Sequence, residues 1–222
     1  MIPKTIQQKL NEGRSYRAVA EIEARAAGDA GEERMIVEGY ATTFNDPYTL
    51  WSMDGYTVIE QIDRNAFDKT DMTDVIMQYD HEGRVFARIA NGTLELASDE
   101  HGLKVTADLG GTAIGRQLYE EIQGGYTNKM SFGFTVTGEK KTRSKGDDGH
   151  VTILRTITKI GKLYDVSAVS LPANDATEIS SRTIGDGLIA EALKEVQAEE
   201  ERQRRIGEIR KILKREEPNH DD

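Results

Sequence analysis

Short segments of alternating apolar and polar residues recur along most of the chain, closed off by Gly, Asp, Asn or Pro. That period of two predicts β-strands. "SYRAVAEIEARA" predicts a first strand, with "AGDAGEE" as the turn after it. "RMIVEGYATTF" predicts a strand that runs to Phe44 and is broken by "NDPY". "YTVIEQI", Tyr56 to Ile62, predicts another, and Asp63 caps a short helical turn in "DRNAFDK". "DVIMQY" is a compact apolar strand, "DHEG" punctuates it, and "RVFARIA" resumes extended structure. "GTLELAS" and "GLKVTADL" predict a hairpin around "DEHG". "MSFGFTVTGE", "VTILRTITKI" and "KLYDVSAVSL" predict three more strands. Between the first two lies "KKTRSKGDDGH", expected to be a mobile charged loop.

Two stretches change period. "TAIGRQLYEEIQGG" places Ile114, Leu118, Tyr119 and Ile122 on one helical face and stops at Gly124-Gly125. After Thr183 the chain is rich in helix formers. Ile189, Leu193 and Val196 form one apolar stripe there, and Ile206, Ile209 and Leu213 another. The bland reading is a solvated helix; the sharper one is a detachable docking or assembly helix. The expected fold is mainly β with flanking helices (α+β): a closed or partly open antiparallel β-barrel plus a C-terminal helix. The expected division is an N-terminal arm (1–15), a β domain (16–183) and a charged helical extension (184–222).

Composition narrows the function. Only 37% of the 222 residues are hydrophobic, so some segments are expected outside the core. A net charge of −10 argues against binding nucleic acid through its phosphates. The absence of cysteine removes disulfides, thiol nucleophiles and thiolate metal sites. No run approaches the ~18 apolar residues that span a bilayer. No apolar segment of the signal-peptide kind follows "MIPKTIQQKL". The expectation is an intracellular protein with no membrane partner and no cofactor.

Three residues invite a chemical reading. In "NKMSFGF", strand alternation sets Met130, Phe132 and Phe134 on one face and Ser131, Gly133 and Thr135 on the other. The second face is either a solvent face or a nucleophile with space beside it. His81 sits where a buried strand meets a turn, as a surface turn histidine or as a general base. Asp165 lies among aliphatics in "KLYDVSAVSL", and needs a partner there unless it occupies a strand bulge. Together they could supply a nucleophile, a base and an orienting carboxylate. No Gly-x-Ser-x-Gly elbow is present, which disfavours an α/β-hydrolase. A metal hydrolase built on Asp80, His81 and Glu82 is disfavoured, because consecutive residues rarely converge on one ion.

At these positions the chain resembles the prohead maturation proteases of tailed bacteriophages, which are related in fold to the herpesvirus capsid-assembly protease. The resemblance runs from about Tyr16 to about Asn174, through "VEGYATTFN", "EQIDRNAF", "MQYDHEGRVFARI", "MSFGF" and "LYDVSAVSLPAND". It implies a β-barrel of the herpesvirus-protease type and a serine endopeptidase with Ser131 as nucleophile and His81 as base. Asp165 stands where the family usually has Glu, so its backbone must come closer; Asp80 is the substitute. Oxyanion donors are expected at Ala173 or Asn174. The resemblance further implies a substrate, either scaffold or the scaffold-like arm of the major capsid protein. Cleavage would occur inside the assembling prohead in the host cytoplasm, and self-cleavage and self-association are further expectations. "EISSRTIGDG" is the expected cleavage linker. The rival reading is a non-catalytic capsid-assembly protein associated with scaffold.

Overall fold

The computed structural model describes residues 6–25, 34–170 and 175–216. A short helix α1 (Ile6–Asn11) leads into β1 (Arg14–Ala24) and β2 (Ile36–Thr43). The hairpin β3 (Tyr48–Met53) and β4 (Tyr56–Ile62) follows, then β5 (Ile76–Tyr79) and β6 (Glu82–Arg88). After β7 (Leu94–Ser98) and β8 (Gly102–Asp108) comes α2 (Ala113–Gln123). The chain ends with β9 (Lys129–Lys145), β10 (Val151–Val169) and α3 (Asp175–Glu216).

All ten strands belong to one sheet in the order β3-β4-β10-β9-β1-β2-β8-β7, with β5 on β10 and β6 outside β5. The mainly β expectation with a C-terminal helix holds, but the sheet does not close into a barrel. Nor is it purely antiparallel. β10 is 19 residues long, and one of its edges takes two short parallel partners in succession. Val151–Ile157 pairs with β4 and Asp165–Ala168 with β5. Its other edge pairs with β9 along almost its whole length.

Three local expectations change. The "KKTRSKGDDGH" segment is mostly strand: Lys140–Lys145 pairs with Thr156–Val151, and only the tip turns. Its charges are the solvated faces of a long hairpin. The two strands expected after it are one, bent at register shifts between Ile157 and Asp165. The unforeseen β3 is joined to β4 by Asp54-Gly55, both with positive φ (32° and 81°), as a two-residue hairpin turn requires. The Asp63 cap is present, its carboxylate accepting from the Asn65 N–H at 2.9 Å.

The main core collects Met130, Phe132 and Phe134 with Phe67, Met77, Leu103, Leu163 and the inner face of α2. Thr112 caps α2, its hydroxyl accepting from the Gly115 N–H. A second cluster lies under α3, where Leu188, Ile189 and Ala192 pack on Leu50, Val58 and Ile153. Its near half is therefore docked on the sheet rather than detached. Gly185 permits this, since a Cβ there would lie 2.5 Å from Trp51 Cβ. α3 begins at Asp175, ahead of the boundary expected at 183/184, and "EISSRTIGDG" is helical instead of extended. Of the expected stripes, Ile189 is buried, while Leu193 and Ile209 are exposed. The Leu213 side chain lies outside the described residues.

Glu60 is the most demanding buried group in the core. Its carboxylate has no exposed surface and binds Arg17, Arg155 and the Tyr48 hydroxyl. Burial pushes its pKa up, but the Arg17 and Arg155 charges and the hydrogen bonds from Arg17 and Tyr48 outweigh that, leaving it below the usual value. Replacing Glu60 by Gln removes the carboxylate that Arg17 and Arg155 share, while Arg155 keeps Glu139. The expected cost is about 3–5 kcal/mol in urea unfolding at neutral pH. Because the folded carboxyl titrates lower than the unfolded one, its contribution is present above the unfolded pKa of about 4 and lost as pH falls through the folded value. Acid unfolding of Glu60→Gln should accordingly be less steep than that of the unaltered chain.

Candidate active site

The candidate residues lie on one face of three adjacent strands. Across β10, β9 and β1, Asp165 pairs with Gly133 and Gly133 with Tyr16. One step along, Ser167 pairs with Ser131 and Ser131 with Ala18. Cross-strand partners point to the same face, so Asp165, Ser167 and Ser131 share it. The turn after β5 then brings His81 over this face.

That turn is tight. Asp80 and His81 separate two antiparallel strands and both have positive φ, 47° and 61°. A non-glycine residue rarely adopts this conformation, and such strain concentrates at functional sites. Parallel pairing of β5 with Asp165–Ala168, continued by the Asp80 N–H donating to the Ala168 carbonyl at 3.0 Å, holds the turn in place.

His81 bridges the other two residues. Its Nδ1 bonds Asp165 Oδ1, and its Nε2 lies 2.6 Å from Ser131 Oγ. An ionised carboxylate can only accept, so Nδ1 carries the proton and Nε2 is free to accept from the serine hydroxyl. Burial pushes the Asp165 carboxyl up, but its interaction with the His81 ring and the hydrogen bonds from His81 and Ser167 hold it below its ordinary value. Tyr16 packs its ring at 4.4 Å from the imidazole, and burial raises the pKa of its phenol. From α1, the Lys9 ammonium donates to the His81 carbonyl at 2.6 Å, and burial lowers its pKa.

Two expectations about this face are corrected. Ser131 is not on an open face: it and His81 have no exposed surface. Gly133 does not leave space beside the serine either. A Cβ there would lie 2.5 Å from Asp165 Oδ2 and 2.8 Å from the Tyr16 ring, so the glycine makes room for the carboxylate itself. This is how the shorter Asp reaches His81. Asp80 does not substitute for it, because its carboxylate accepts from the Ser170 N–H and hydroxyl. The expected oxyanion residues Ala173 and Asn174 lie outside the described residues. Of the other histidines, His150 meets Thr57, His101 packs on Tyr40, and His220 is outside the described residues.

The model of the caudovirus prohead serine proteases matches residues 20–188. The chain belongs to that family. It is therefore a serine peptidase that hydrolyses peptide bonds in capsid maturation, acting on capsid proteins inside the phage prohead in the host cell. No curated protein and no solved structure matches the chain. The herpesvirus-type architecture thus rests on the resemblance alone. Among the described residues, no helix is long and apolar enough to cross a membrane.

Sequence reasoning passed over Ser167. Its buried hydroxyl donates to Asp165 Oδ1 at 2.8 Å, the same oxygen that binds His81. Alternation from Asp165 alone would have placed it on the same face.

Gly133→Ala should displace the Asp165 carboxylate from His81. Overpacking of this kind costs about 1–3 kcal/mol, visible as a lower melting temperature. Peptidase activity should fall more steeply than the remaining folded fraction, as activity assays on the purified variant at a temperature well below its melting point would show.

Proposed function

We propose that Ser131 is the nucleophile, His81 the general base and Asp165 the residue that orients it. The observation that carries this reading is the unbroken chain from Ser131 Oγ through both nitrogens of His81 to Asp165. Serine is a poor nucleophile until a base takes its proton. Here Ser131 Oγ attacks the scissile carbonyl carbon as its proton passes to His81 Nε2. The resulting imidazolium is stabilised by Asp165 and then protonates the departing amine, leaving an acyl group on Ser131. Water, deprotonated by His81, releases that acyl group and restores the serine. Ser167 keeps the carboxylate aimed at Nδ1. The oxyanion donors expected near Ala173 and Asn174 would complete the site.

The substrate on this reading is scaffold, or the scaffold-like arm of the major capsid protein, and the chain also cleaves itself. The helical state of "EISSRTIGDG" argues against that stretch as the cleavage point in the folded chain, since a protease needs extended peptide. The rival assembly protein does not require these three side chains to meet, and the family is one of peptidases.

Intact mass followed over time tests the assignment. The unaltered chain, or the chain with co-expressed capsid protein, should give discrete products that Ser131→Ala does not. Asp165→Asn should retain the fold and lose about 10⁴ in kcat, the loss this change produces in a serine–histidine–aspartate arrangement. Equal cleavage by Ser131→Ala would assign the nucleophile elsewhere.

A further inference from the structure

A groove of about 600 Å³ lies between the β5–β6 hairpin and α2. Its floor is apolar, formed by Tyr79, Phe86, Ile114 and Leu118. Its rim carries the acidic residues Glu82, Glu121 and Asp80, the last with its carboxylate accepting from Ser170, against the guanidinium of Arg84. The volume falls in the range of about 300–1,000 Å³ that binding pockets occupy.

The two walls are organised rather than incidental. On α2, Ile114, Gln117, Leu118 and Glu121 stand at i, i+3, i+4 and i+7, a stripe that shares Leu118 with the core-facing one. On β6, Glu82, Arg84 and Phe86 alternate onto one face. Among the described residues β6 pairs only with β5, so its outer edge has no strand partner.

The groove is also next to the candidate site along the chain. Asp80, Glu82 and Gly83 line it and flank His81 in the chain. The opposite wall, α2, runs through Gly124–Asn128 into the strand that carries Ser131. The two walls are thus joined in sequence to the His81 turn and to the Ser131 strand.

We infer that this groove is a substrate subsite. It takes an extended peptide that places a bulky aliphatic or aromatic side chain on the apolar floor and basic side chains at the acidic rim. An extended segment can add to the open edge of β6 by main-chain hydrogen bonds, with alternate side chains entering the groove, a mode that suits a peptide better than a compact small molecule. The excess of carboxylates selects cations beside the apolar residue. This inference rests on the hydrolase reading of Ser131, His81 and Asp165, and its test separates the two.

The full chain carrying Ser131→Ala is titrated against three short fluorescein-labelled peptides by anisotropy. One alternates leucine with lysine, the second replaces leucine by serine, and the third replaces lysine by glutamate. The leucine–lysine peptide should bind at least about tenfold more tightly than either control. Gln117→Trp, which fills the groove from an exposed position, and Ile114→Asp should each remove that preference; circular dichroism melts confirm that the variants are folded. Equal binding of the three peptides, or a preference that survives in both folded variants, overturns the groove. Binding needs no chemistry, so the hydrolase reading is checked apart from it, by Ser131-dependent cleavage of the same leucine–lysine peptide. A leucine–lysine preference without such cleavage upholds the groove as a peptide site and overturns the assignment of Ser131.

Discussion

A carboxylate with almost no exposed surface must find its partners inside the protein, and Asp165 organises the candidate site for that reason. Its Oδ1 takes two donors, the His81 ring and the Ser167 hydroxyl. Its Oδ2 occupies the space that a side chain at position 133 would fill. Glycine at position 133, in the strand of Ser131, is thus a requirement of Asp165 in the neighbouring strand. The strained backbone at Asp80 and His81 belongs to the same arrangement, because this tight turn returns the imidazole over Asp165 and Ser131. The charge of Asp165 stabilises these contacts, and the contacts make its burial tolerable.

The open sheet follows from the same strand. β10 needs length to carry the acid at one end and the Arg155 side of the Glu60 network at the other. No single short strand covers so long an edge, so β4 and β5 each take part of it in parallel. Parallel partners cannot arrive through tight hairpins. The chain must leave β4, travel, and re-enter as β5, and the capped turn after Asp63 provides that path. The β5–β6 hairpin with His81 at its tip then stands at the sheet's margin, next to α2.

The legible parts of the sequence were those governed by local rules. Strand alternation around Ser131, the helix carrying Leu118, Tyr119 and Ile122 and the turn at Asp63 all follow from neighbouring residues. The Asp54-Gly55 signal was equally local, and the strand before it could have been read from it. Pairings between distant segments were not legible. Periodicity could not say that Gly133 would face Asp165, or that β4 and β5 would run parallel to β10. Charge misled in one place: Lys140–Lys145 looks like a solvated loop, yet it is held in strand by its partner and by Lys141 bonding Glu191 of α3 at 2.6 Å. Exposure misled in another, since period two predicts a face but not whether another segment covers it.

That last point bears on how such a site works. Ser131 and His81 have no exposed surface, so in this conformation a scissile carbonyl has no route to Oγ. Enclosure strengthens the bonds among Ser131, His81 and Asp165, because charges interact more strongly away from water. It also means that turnover requires covering elements to part while the hydrogen-bonded chain beneath them keeps its geometry. The elements here divide along that line. β9 and β10 pair over many residues and are anchored by Phe132 and Phe134, so Ser131 and Asp165 are fixed to the most extensively bonded part of the fold. The six-residue α1 is far less secured, and holds the histidine turn through the Lys9 ammonium on the His81 carbonyl. Elements with few buried contacts open at the lowest free-energy cost. Opening at this edge therefore costs less than any rearrangement of the strands that carry Ser131 and Asp165.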